Sequence, residues 1–335
     1  MDIVRWGILG CGDVTEKKSG PGFQKADGSQ LVAVMRRDAA RAEDYARRHG
    51  VPKWYSDADD LINDPEVDAV YIATRPDTHS EYALRVAQAG KPVYVEKPMG
   101  YSYADGRRVV EGCVDAGVPL FVAYYRRALE KYVAAKRMIE AAEIGDVRFV
   151  RVTMHSTPDV DPGARKRSEL PWRLRRESAG GGLVLDVGSH GLDLLDYILG
   201  PIAHVHGFAS NQADLYDVED TVSGSWVFES GIHGAGVWCF VVYDTDDRID
   251  IYGTKGKLSF SILDVGGPIE LVTASGERRL EFTPPEHVQQ PLIQSVVDEL
   301  RGRGRCPSTG DTALRTDRVL EQLRGHPSSI DLPRL

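Results

Sequence analysis

Four cysteines are few for 335 residues, and Cys11, Cys113, Cys239 and Cys306 lie far apart with no CxxC pair, which excludes a disulfide framework and a zinc knuckle. They read as reduced thiols. Positive charge is also short. Against 50 Asp and Glu stand 41 Lys and Arg, a formal charge of −9 that supplies no pull toward nucleic acid or an anionic membrane. No apolar run reaches the ~18 residues of a membrane span, and the N-terminus, with Asp2 and Arg5 ahead of a glycine turn, lacks a signal-peptide pattern. A soluble cytoplasmic protein is expected, with no nucleic-acid or membrane partner. Repeats, low-complexity tracts and long linkers are missing too. His204 and His206 alternate onto one strand face, but no third ligand follows at a recognisable spacing, so no metal is expected.

What is present is ordinary globular composition, 42% hydrophobic and 27% charged, at a length that suits about two domains. In the first 120 residues, short apolar runs at Ile3 to Leu9, Leu31 to Met35, Asp68 to Thr74, Pro92 to Val95 and Pro119 to Ala123 alternate with helical stretches. The helical stretches, Asp38 to His49, Thr78 to Ala89 and Ser102 to Ala116, stop at or near Gly50, Gly90 and Gly117. Buried strands alternating with helices predict a doubly wound parallel sheet. After Tyr125 comes a helix candidate at Leu129 to Ala142 and an extended run at Val147 to His155. The period then becomes two. Thr221 to Phe228 places Val222, Trp226 and Phe228 on one face, and Ile232 to Val241, Arg248 to Gly253 and Lys257 to Ile262 continue the pattern. The fold class expected is an α/β Rossmann domain over residues 1–123, then an α+β domain with a large, mainly antiparallel open sheet over 124–335. Helix candidates at Val288 to Arg301 and Thr312 to Leu323 close the chain and are placed to pack back on the first domain.

The first strand runs into Gly10-Cys11-Gly12-Asp13-Val14, a GxG turn ahead of a helix, where backbone amides and a helix N-terminus can hold a pyrophosphate. Gly10 permits the turn and Gly12 the close approach of phosphate, while Thr15 stands where the fingerprint has its third glycine. At the end of the second strand, NAD enzymes place an acid for the ribose hydroxyls. Here the chain reads Met35-Arg36-Arg37, with no carboxylate before Asp38, and two arginines suit a 2′-phosphate, so NADP(H) is favoured over NAD(H).

Two further constellations carry chemistry. Glu96-Lys97-Pro98 follows an apolar strand at the carboxyl edge of the sheet, where ligands of such sheets bind. In the run Gly180 to His190, Asp186 and His190 stand four apart, on one face of a regular helix. With Tyr71-Ile72-Ala73-Thr74 followed by His79, and with Trp172-Arg173 ahead of the glycine triplet, the chain resembles the glucose-fructose oxidoreductase, inositol dehydrogenase and rhizopine-catabolism family, written Gfo/Idh/MocA, over essentially its whole length. The resemblance implies a dehydrogenase of sugars, cyclitols or related polyols, assembled as a homodimer or homotetramer through the open sheet face. By the same resemblance Lys97 contacts the reacting oxygen and shares in proton transfer, His190 is its acid/base partner, and Asp186 positions substrate and histidine.

The resemblance also places Thr74, Arg75, His79, Glu96 and Lys97 at the cofactor pocket, and Tyr125, Arg126, Trp172 and Arg173 near the substrate. Arg75 and Tyr125 depart from the family, which usually has proline and asparagine there. Arg165, Lys166, Arg167, Arg173, Arg175 and Arg176, opposed only by Glu169 and Glu177, allow either an anionic group on the substrate or a solvated subunit contact. A trans-dihydrodiol dehydrogenase, a dinucleotide-retaining glycosidase and a non-catalytic sugar or dinucleotide sensor are the alternatives on the same fold.

Overall fold

In the computed structural model of the chain, residues 2–158, 160 and 170–325 are described. The first sheet is parallel throughout, in the order β3-β2-β1-β4-β5-β6. Its strands are β1 (Val4–Leu9), β2 (Ser29–Met35), β3 (Lys53–Tyr55), β4 (Ala69–Ile72), β5 (Val93–Val95) and β6 (Leu120–Val122). Helices α1 (Asp13–Lys17), α2 (Gly20–Lys25), α3 (Ala39–His49), α4 (Ala58–Ile62), α5 (His79–Gln88) and α6 (Tyr103–Asp115) connect them. The order reverses between β1 and β4, so the crevice at their carboxyl ends is the place where such a sheet receives a ligand. β4 and β5 are buried at every position, which explains their unbroken apolar runs.

The second sheet follows α7 (Glu130–Glu140) and runs β14-β13-β12-β11-β7-β10-β9-β8. Its strands are β7 (Val147–His155), β8 (Ile202–Ser210), β9 (Thr221–Phe228), β10 (His233–Cys239), β11 (Asp246–Gly253), β12 (Gly256–Phe260), β13 (Ile269–Thr273) and β14 (Gly276–Leu280). Every pairing is antiparallel except β7 with β10 at the centre. One face is buried and the other carries Phe149, Phe208 and Val237 to the surface. Between β7 and β8 the chain forms α8 (Arg176–Ala179), a π-helical turn at Val184–Gly188 and α9 (Ser189–Leu199).

Nearly all of α9 is buried, with Leu192, Leu194, Leu195 and Ile198 in the core of the second sheet. Its two acids are not left bare. Asp193 accepts from Arg127 at 2.8 Å, and Asp196 pairs with Arg315 at 2.7 Å. Arg127 lies in the 3₁₀ turn Tyr125–Ala128 between the sheets, and Arg315 in the last described helix, so these ion pairs tie three segments together. The closing helices are α10 (Gln290–Leu300) and α11 (Gly310–Arg324). α10 returns to the first sheet, where Leu292, Ile293, Val296 and Val297 share a core with Trp6, Phe23, Tyr71 and Tyr94.

Candidate active site

The glycine turn leaves β1 at Gly10, whose φ of +88° only glycine adopts without strain. A Cβ on Gly10 would stand 2.7 Å from the Thr74 methyl, so the turn is pressed against the end of β4. At Gly12 a Cβ would meet nothing nearer than 3.8 Å, which leaves an open ledge beside the first-turn amides of Asp13 and Val14. No side chain caps those amides, and an α-helix offers its first N–H groups no internal acceptor. These open amides could receive an anion. It differs in one respect, because α1 is only five residues long and contributes little dipole.

Thr15, at the third-glycine position, is fully buried; its hydroxyl donates to the Gly12 carbonyl at 2.8 Å and its own carbonyl accepts from Tyr45 at 2.9 Å. The close packing usually allowed by that glycine has moved to Gly20, where any Cβ would collide with the Thr15 carbonyl and the Tyr45 hydroxyl. Cys11 is sealed in the core and burial pushes its thiol up to about 11, so it offers only its backbone.

At the end of β2, Arg36 donates from Nη1 to the Cys11 carbonyl at 3.2 Å, and Arg37 is exposed. Asp38 caps α3, accepting from the Arg41 amide at 3.2 Å. The first carboxylate after the strand is thereby already engaged. At the end of β4, Thr74 accepts from the Thr78 hydroxyl at 2.8 Å, and the exposed Arg75 faces Asp77 at 3.5 Å. His79 is buried between two strand ends, with Nδ1 2.7 Å from the Pro98 carbonyl and Nε2 3.0 Å from that of Thr74, and a neutral ring donates to one of the two. Burial lowers its pKa.

Glu96 points inward. Its Oε1 accepts from the Tyr71 hydroxyl at 2.5 Å and from Gln289 Nε2 at 2.7 Å, and Oε2 lies 3.3 Å from the Lys97 amide. Lys97 reaches the other way, across to the segment before α9. Its Nζ donates to both Asp186 Oδ1 and the Asp186 carbonyl at 2.6 Å. Asp186 Oδ2 also lies 3.4 Å from Arg173 Nε. The adjacent Lys97 ammonium overrides burial and holds the Asp186 carboxyl below its usual range, so it is anionic.

His190, in the first turn of α9, has only 6% of its surface exposed and lies edge-on to Tyr124 at 6.0 Å and Tyr125 at 5.8 Å between ring centroids. Its Nδ1 is buried without a hydrogen-bond partner. Burial, reinforced by the charges of Arg126, Lys97 and Lys18, holds the ring well below its ordinary pKa, and it is neutral at pH 7. The shared helical face expected for Asp186 and His190 is altered by the π turn: its wider i→i+5 winding changes the angle between them, and the carboxylate goes to Lys97 and Arg173.

The structure thus gathers Lys97, Asp186, Arg173 and His190, with Tyr125 and Arg126 beside the histidine, at the carboxyl edge of the first sheet. Trp172 stacks its ring under Arg173 at 5.5 Å in a 3₁₀ turn, Trp172–Leu174. Arg175 and Arg176 spend hydrogen bonds on the Leu170 and Asp217 carbonyls. Arg165, Lys166 and Arg167 lie outside the described residues. His204 and His206 are exposed on β8, and among the described residues no group of three His, Cys, Asp or Glu is placed to hold a metal. Sequence reasoning missed Gln289, which arrives from 193 residues away with no local signal, and Lys18, whose charge reaches both Asp186 and His190.

Residues 4–124 match the family model described as an oxidoreductase family with an NAD-binding Rossmann fold, and residues 132–259 match the Gfo/Idh/MocA C-terminal domain. The chain is 35% identical to Oxidoreductase P35 of Formosa agariphila, covering 96% of this chain and 98% of that one. It is 32% identical to the trans-1,2-dihydrobenzene-1,2-diol dehydrogenase of Mus musculus over 84% of this chain and 80% of the relative. The aldose-aldose oxidoreductase of Caulobacter crescentus, solved with glycerol, superposes with a TM-score of 0.84 at 26% identity, covering 96% of both chains.

Proposed function

From the chain's membership of the Gfo/Idh/MocA oxidoreductase family, we propose that it interconverts a secondary alcohol and its ketone on a sugar, cyclitol or related polyol, with NADP(H) preferred. The observation that carries this reading is the Lys97 ammonium, fixed 2.6 Å from the Asp186 carboxylate at the sheet edge that also holds the glycine turn. Gly12 and the amides of Asp13 and Val14 would hold the pyrophosphate, and Arg36 and Arg37 the 2′-phosphate. A bound nicotinamide supplies the hydride acceptor or donor. Lys97 donates a hydrogen bond to the reacting oxygen and stabilises the negative charge that grows there during reduction. Asp186 keeps that ammonium aimed. His190, neutral and desolvated, takes the hydroxyl proton in the oxidative direction.

NADP preference is supported by the engagement of Asp38 as a helix cap and the absence of another acid at the end of β2. We place the division between nucleotide and substrate domains at residues 123–124, and assign the exposed face of the second sheet to a homodimer or homotetramer in the cytoplasm. Oxidation of aromatic dihydrodiols is the second reading, favoured by the similarity to the mouse enzyme. An absorbance screen at the nicotinamide band, with polyols and dihydrodiols against NADP+ and NAD+, tests both. Polyol-dependent reduction of NADP+ is the expected result. Turnover of dihydrodiols alone would reject the polyol assignment, and a large preference for NAD+ would reject the cofactor assignment.

A further inference from the structure

Two neighbouring arginines in the turn between the sheets are equally buried, at 4% exposure for Arg126 and 3% for Arg127, but their partners differ. Arg127 has two carboxylates, Asp193 at 2.8 Å and Asp196 at 3.4 Å. Arg126 has none. Its Nε donates to the Ile262 carbonyl at 2.8 Å, its guanidinium lies 4.9 Å from the centre of the Tyr125 ring, and its Nη1 is buried without a hydrogen bond. The nearby Tyr132 phenol is no counter-ion, because burial raises its pKa and keeps it protonated. A guanidinium withdrawn from water without a counter-charge is strongly disfavoured, and an arriving anion would offset that cost.

The surroundings point the same way. Arg126, Lys97 and Lys18 all press on His190 with positive charge, and Arg173 adds a fourth cation beside Asp186. Asp186 is shared by Lys97 and Arg173, while Glu96 is bound by Tyr71 and Gln289. Resting on the proposed polyol oxidoreduction, we infer that the substrate carries a carboxylate as well as the reacting hydroxyl, and that Arg126 is the residue that receives it. The substrate class is a sugar acid or carboxylated cyclitol. Planar, two-point pairing makes arginine the natural partner of that group.

The test uses the full chain with NADP+ and matched neutral and acidic pairs, glucose with glucuronate and galactose with galacturonate, assayed for turnover and as ligands in thermal unfolding. At least a tenfold advantage in kcat/KM is expected for the acid of a pair, falling to within about threefold in Arg126→Gln. The acid is also expected to raise the Tm of the wild type but not of Arg126→Gln. Arg126→Lys, which keeps the charge and loses the two-point geometry, is expected to fall between them and serves if the glutamine variant does not fold. Equal or better turnover of the neutral partners overturns the inference and leaves the polyol reading standing, as does preference for a sugar phosphate tested alongside. If no pair is oxidised but glucuronate still gives an Arg126-dependent rise in Tm, the anion site stands and the polyol reading falls. A loss of NADP+ affinity in Arg126→Gln, with acid preference intact, would assign the guanidinium to the dinucleotide and overturn the inference.

Discussion

Replacing Asp317 by Asn should stabilise the protein, and increasingly so as pH rises. Asp317 lies on α11 against α6, close enough to Gly106 that a Cβ there would be 2.9 Å from Oδ2, and that oxygen is buried with no hydrogen-bond partner. No cation faces it. Burial first, then the charges of Asp193 and Glu321, push its pKa up to about 8 from 3.8. The folded state therefore holds a proton that the unfolded chain releases near pH 4, and folding stability falls as pH climbs from there to about 8. The interval is about 4 units, and at 1.36 kcal/mol per unit the ceiling is about 6 kcal/mol above pH 8.

The amide is nearly isosteric and carries no charge, so the variant escapes this cost. Its advantage should be small at pH 5 and reach a few kcal/mol at pH 9, read as a difference in Tm or in the urea midpoint at each pH. Parallel pH profiles for wild type and Asp317→Asn would refute the reasoning, because they would mean that Asp317 ionises in the fold as freely as in the unfolded chain.

Arg36→Ala should lower kcat/KM for NADP+ about tenfold while leaving that for NAD+ nearly unchanged, as steady-state kinetics with both dinucleotides will show. Gly20→Ala should destabilise the protein by about 1–3 kcal/mol and weaken dinucleotide binding, because the added methyl pushes on the Thr15 carbonyl and Tyr45 and through them on the glycine turn. Thermal unfolding and a fluorescence titration with NADPH check the two effects.

Where a local pattern decides the structure, the sequence was sufficient. β7 and β9 begin and end as the extended run Val147 to His155 and the alternation of Thr221 to Phe228 indicate, because each has one face in the core of the second sheet. α3 and α5 likewise follow their glycine stops. β3 and β14 were not legible: each is short and at the edge of its sheet, with no fully buried residue, so its neighbour rather than its own pattern makes it a strand. The π turn at Val184–Gly188 has no side-chain signature either. It accompanies a tertiary bond, the grip of Lys97 on both the carbonyl and the carboxylate of Asp186. The motifs single out Glu96, Lys97, Asp186 and His190 as candidates, but their pairings have no local signal, because Glu96 and Lys97 turn to opposite partners supplied by distant segments.

The most direct test of the catalytic assignment is the rate of nicotinamide absorbance change in Lys97→Met, measured beside its affinity for NADPH and with the best substrate of the screen. Removing the charge at the reacting oxygen should lower kcat by about two to three orders of magnitude while NADPH binding stays within a few fold of wild type. Near-wild-type turnover in a variant that binds NADPH normally would contradict the role given to Lys97, and with it the chemistry assigned to this site.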